Sequence, residues 1–142
     1  MALRVVFAED LEGALRMGAS AKEARMRLRL AGQAALASLL RGEPVPLDGE
    51  ISGAGFERPT RVAGAVRLER SRAELTYDLS VLESTTSLRG TKQWLSADPY
   101  AGLTTLVLEL VRDGAVTGRA TLRLDPRGPR QGGFAGVKLR WI

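Results

Sequence analysis

The chain has 142 residues and a formal net charge of +5, with no cysteine and no histidine. That length fits one domain, which buries about 70% of its unfolded surface without a metal or disulfide staple. The missing residue types exclude thiolate nucleophiles, Cys- or His-ligated zinc, iron–sulfur clusters and Ser–His triads built from this chain alone, so no cofactor and no metal are expected.

The opening MALRVVFAED has one arginine, a short apolar run and then acids, which does not match the regions of a secretory leader. A cytoplasmic location is the expectation. Arginine far outnumbers lysine (Lys22, Lys92 and Lys138 only), a composition typical of a GC-rich bacterial genome. Residues 3–8, LRVVFA, suit a short first strand. Asp10 then caps a predicted helix from Leu11 to Met17, with Glu12 near its positive end and Gly18 just past it. From Arg25 the period becomes two. Met26, Leu28 and Leu30 alternate with Arg25, Arg27 and Arg29, the pattern of a half-buried strand with an arginine-bearing outer face. AGQAALASLLRG at 31–42 has no β-branched residue and ends in glycine, which predicts a helix of about three turns.

Strands follow: VPLDGEIS, RVAGAVRLER, AELTYDLSVLE, TSLRGTKQWL, LTTLVLELV, AVTGRATLRL and GVKLRWI, each bounded by Gly, Pro, Asp or Ser. Leu75, Tyr77, Leu79 and Val81 share one face, opposite Glu74, Thr76, Asp78 and Ser80. RDG at 112–114 is a hairpin signal, and DPRGPRQGG at 125–133 reads as a connecting loop. About seven to nine antiparallel strands at this spacing predict a mainly-β chain. The expected architecture is an up-and-down barrel or curled meander of lipocalin or calycin type, with one or two short helices near the N-terminus. It spans residues 1–142 as a single domain, and a sandwich is the competing arrangement. No apolar run of ~18 residues occurs, so no membrane span is expected.

Chemistry concentrates on LRGTKQW. Leu88 and Trp94 set an apolar face that Gly90 and Lys92 share by parity. An ammonium inside a barrel costs several kcal/mol unless it is paired. There it would attract a ligand carboxylate, or form a Schiff base if desolvated. Tyr77 could supply a hydroxyl and Glu109 a counter-ion, giving a candidate ligand-binding set of Lys92, Tyr77, Trp94 and Glu109. The alternative is bland: a bulge at Gly90 turns Lys92 outward, or its stem runs along Trp94 with the head in water. No pair of carboxylates, dinucleotide fingerprint or activated hydroxyl stands out, so no catalytic residue is named. Two segments are one-sidedly basic, residues 16–41 and 119–140. Without interleaved aromatics they suit a solvated face, and nucleic acid is not the expected partner.

The motif order carries a resemblance. DLEGALRMGASAKEARMRLRL, LASLLRGEPVPLDGEIS, AELTYDLSV, LRGTK, GLTTLVLELVRDG and RATLRL follow one another through most of the chain. Together they are similar to an accessory β-rich domain of bacterial GMC-type flavin oxidoreductases of the cholesterol-oxidase kind. Tyr77, Leu88, Gly90, Lys92, Thr104 and Thr105 match its motifs, while Ala101, Gly102 and Leu103 depart from its acidic and aromatic pattern. The resemblance implies an accessory role with no catalytic residues, beside an oxidoreductase partner whose flavin domain this chain lacks. Three readings therefore stand. The first is a non-catalytic module that binds an apolar lipid- or sterol-like molecule or supports a lipid-active oxidoreductase. The second is a small isomerase- or cyclase-type enzyme using Lys92. The third is an interaction protein whose basic faces dock an acidic partner or, through peripheral membrane contact, an anionic lipid.

Overall fold

Strand alternation governs nearly the whole chain. The computed structural model describes residues 3–18, 22–53, 55–94, 98–125 and 136–141. Eight strands follow in order: β1 (Leu3–Met17), β2 (Glu23–Ala35), β3 (Val45–Gly53), β4 (Phe56–Glu69), β5 (Glu74–Val81), β6 (Thr86–Gln93), β7 (Thr105–Arg112) and β8 (Ala115–Leu124). Each pairs antiparallel with the next. β8 returns to β1 through Leu11–Leu124 to Met17–Gly118, which closes an up-and-down barrel. A further strand, β9 (Val137–Trp141), pairs with Leu3–Phe7 of β1, the half that β8 leaves free.

The helix expected over Leu11–Met17 is instead the second half of β1. Leu11, Gly13 and Leu15 continue the inward parity of Val5 and Phe7. Pairing to β2 on one side and β8 on the other satisfies the backbone, and tertiary pairing outweighs a local cap signal. The helix expected over 31–42 shrinks to α1 (Leu36–Leu40), because Ala31–Ala35 belong to β2 and pair with Arg4–Ala8. The second helix, α2 (Pro99–Thr104), lies late in the chain rather than near the N-terminus. Asp98 caps it by accepting from the Ala101 amide at 3.1 Å, and proline sits in its first turn. The loop foreseen at 125–133 falls, beyond Asp125, outside the described residues.

One end of the barrel is closed by turns such as Asp113–Gly114, both with positive φ, the type I′ geometry that Asp–Gly favours. At the other end lie α1, which buries Leu39, and α2, which packs on β6 and β7. Two glycines allow close strand approach: a Cβ on Gly49 would meet the Arg29 carbonyl, and one on Gly64 the Asp78 carbonyl.

Apolar side chains point inward and, Glu9 and Lys92 apart, most charged ones point outward, the reverse of a lipid-facing barrel. No helix among the described residues is long and apolar enough to cross a membrane. Among the described residues the lumen is tightly packed: Leu11, Leu28, Ile51, Leu79, Leu88 and Leu122 each expose 0% of their surface. A void wide enough for water would leave accessible area on such side chains, so these strands meet at close-packed density.

Candidate functional site

β1 inserts one acid into its apolar inward series. Val5 and Phe7 precede Glu9 on that parity, and Leu11 follows; Glu9 is 4% exposed overall. Tyr77 comes inward from β5, and Lys92 from the end of β6. Gly90 pairs with Tyr77 on one side and Leu108 on the other without a register shift. No bulge intervenes, so Lys92 keeps the parity of Leu88. The alternative in which its head reaches water is overturned by a side-chain exposure of 1%.

The three polar groups meet. Tyr77 Oη donates to Glu9 Oε1 at 2.6 Å, and Lys92 Nζ donates to Glu9 Oε2 at 3.0 Å. Lys92 Nζ also lies 5.4 Å from the centroid of the Tyr77 ring, whose π face attracts a cation. Each carboxylate oxygen thus receives one donor, and the ammonium has an opposite charge in contact. Burial pushes the Tyr77 phenol well above its ordinary range, and the Glu9 charge and hydrogen bond push the same way. Tyr77 is therefore held as a donor and does not serve as a base.

The other two candidates stand apart. Glu109 points outward, with 40% side-chain exposure and Arg119 at 3.5 Å, because Leu108 and Leu110 take the inward parity of β7. It is not the counter-ion of Lys92. Trp94 follows the last residue of β6 and is half-buried. Its backbone amide donates to the Ala73 carbonyl at 3.0 Å, and its indole Nε1 is buried with no hydrogen-bond partner among the described residues. Glu9, the true counter-ion, was missed in the sequence. Its signal is the single acid at odd parity in a run of inward apolar residues, obscured by the helix-cap pattern that starts at Asp10.

The outer wall carries a second charged group. Arg27 contacts Asp125 at 2.8 Å, Glu12 at 3.3 Å and Asp10 at 3.4 Å, and Arg29 contacts Asp10 at 3.4 Å. The Asp125 amide also donates to the Asp10 carbonyl at 2.7 Å, which ties the end of β8 to β1. Much of the basic charge expected on β2 is thus neutralised in place. Arg123, by contrast, has no carboxylate within salt-bridge distance among the described residues.

Among the described residues no group of three or more His, Cys, Asp or Glu side chains is placed to hold a metal ion. No family model, curated protein or solved structure matches the chain.

Proposed function

We propose that this chain is a non-catalytic docking module, a filled barrel that presents its charged outer wall to an anionic partner. One observation carries the reading. The polar centre of the lumen is almost wholly buried, and there Glu9 and Lys92 neutralise each other at 3.0 Å. Groups that would serve a ligand or a reaction are already occupied, which leaves the outside as the working surface. The net charge of +5 favours an anionic counterpart. The resemblance to an accessory domain of GMC-type oxidoreductases supports a protein in that role.

The test is retention of the purified chain on immobilised polyglutamate and on phosphatidylglycerol vesicles, across roughly 0.05 to 0.5 M salt. Retention that falls steeply with salt is expected. Absence of binding, or binding indifferent to salt, would sink the reading.

A second reading is favoured by the polar cluster itself. A lipid- or sterol-like molecule with a carboxylate could displace Glu9 from Lys92 if the packed lumen opened. Native mass spectrometry of the purified chain separates the two, since a co-purifying apolar molecule supports the second reading against the first.

A further inference from the structure

The β1–β8 register sets Arg16 directly opposite Arg119. Like charges at directly paired positions destabilise a sheet. Here the two guanidiniums turn apart, Arg16 to Glu23 of β2 at 3.0 Å and Arg119 to Glu109 of β7 at 3.5 Å. Both line a groove of about 940 Å³ on the outer wall. Ala14 and Thr121, paired side by side, form its floor, and Val107, paired with Thr121 and 54% exposed, forms its margin.

Along β8 the outward residues Arg119, Thr121 and Arg123 follow at two-residue spacing, about 6.7 Å per step. Two acids also line the groove, but both are engaged. Glu12 lies 3.3 Å from Arg27 and 3.7 Å from Arg25, and Glu23 holds Arg16. Arg123 faces Glu12 across the β1–β8 register but has no carboxylate within salt-bridge distance among the described residues, and Arg119, though it reaches Glu109 at 3.5 Å, is 75% exposed at its side chain.

We infer that this groove receives an extended acidic segment of a partner protein, with two carboxylates four residues apart and a small apolar side chain midway. The carboxylates fall on Arg119 and Arg123, because an extended segment has the same rise per residue as β8. The midway side chain rests on Ala14, Thr121 and Val107. A carboxylate on Arg119 also offsets its repulsion from Arg16. Two arginines at fixed spacing along one strand match an extended chain better than the plane of a bilayer. This inference rests on the docking reading and names the site and the chemistry of the partner.

The probe is a fluorescein-labelled peptide, Gly-Glu-Ser-Val-Ser-Glu-Gly, titrated against the intact chain by fluorescence anisotropy. Arg119→Gln and Arg123→Gln each weaken binding by roughly threefold to tenfold. A glutamine version of the peptide, or one with glutamates three apart, loses affinity similarly. Both variants are outward and exposed, and circular dichroism verifies their fold. Equal affinity of wild type and both variants would overturn the inference. So would vesicle binding without peptide binding, although basic-wall docking would then survive. If neither polyglutamate nor vesicles bind, both proposals fall.

Discussion

Lys92→Met keeps most of the side-chain volume in the barrel and deletes the charge that faces Glu9. The carboxylate then keeps Tyr77 alone as a donor, at 2.6 Å. Removing one partner of a buried ion pair costs about 3–5 kcal/mol, because the other charge stays desolvated. The surviving Tyr77 bond places this case near the lower end, at about 3 kcal/mol. Against a total stability of about 5–15 kcal/mol for a typical domain, the variant still folds but unfolds much earlier. Urea unfolding followed by circular dichroism reads the change. With a slope of about 2 kcal/mol per molar, the midpoint drops by about 1.5 M. Removing all three polar groups together (Glu9→Leu, Tyr77→Phe and Lys92→Met) leaves no stranded charge, so stability returns to within about 1–2 kcal/mol of wild type. A Lys92→Met protein within about 0.5 kcal/mol of wild type would refute the burial of the ammonium. A triple variant as unstable as the sum of its single changes would refute the coupling.

Two more outcomes follow from the charge placement. The folded-state pKa of Tyr77 lies above its unfolded value of about 10, so on raising the pH the unfolded chain loses its proton first. Stability on this account is present below about pH 10 and falls by about 1.4 kcal/mol per pH unit above it. Urea titrations from about pH 9.5 to pH 11 test this, since Tyr77→Phe lacks that slope and identical pH profiles would contradict it. On the outer wall, Arg27→Gln strips a partner from Asp10 and Asp125, whose side chains are 8% and 5% exposed, and costs about 1–3 kcal/mol. Arg25→Gln removes a contact of 3.7 Å from a side chain that is 77% exposed, and costs about 0.5 kcal/mol or less. Equal losses in thermal melts would show that the network carries no more than its most exposed member.

Where one face of a strand meets core and the other meets solvent, the alternation was visible from residues alone. Leu75, Tyr77, Leu79 and Val81 all point inward, as does Lys92 by the parity of Leu88. β7 was harder to read. Leu106, Val107 and Leu108 are three apolar residues in a row, so nothing local indicates that Leu106 and Leu108 face inward while Val107 is 54% exposed. Glu109 was drawn into the candidate set by that ambiguity. The first half of the chain hid its strands for another reason. Asp10 followed by Leu11 and Glu12 satisfies a helix-cap pattern, and Ala31–Ala35 has good helix propensity. Both segments are strands because partners far away in sequence, β8 for one and the start of β1 for the other, supply their hydrogen bonds. The pairing of Glu9 with Lys92 is equally remote and leaves no local trace beyond one acid in an apolar series.

β1 touches three strands, one of them its neighbour in sequence and two from the far end of the chain. During folding the β1–β2 ribbon can form early, as can the run of hairpins from β3 to β8. The seam between β1 and β8 must wait until nearly the whole chain has been ordered. Contacts of such long sequence separation make folding slow, because loop-closure entropy is lost before the seam forms. Until then Glu9 and Lys92, 83 residues apart, are each hydrated. The pair loses its water only once β1 and β6, distant in sequence, meet across the lumen. A weakened Glu9–Lys92 pair should therefore speed opening of the seam far more than it slows formation of the hairpins.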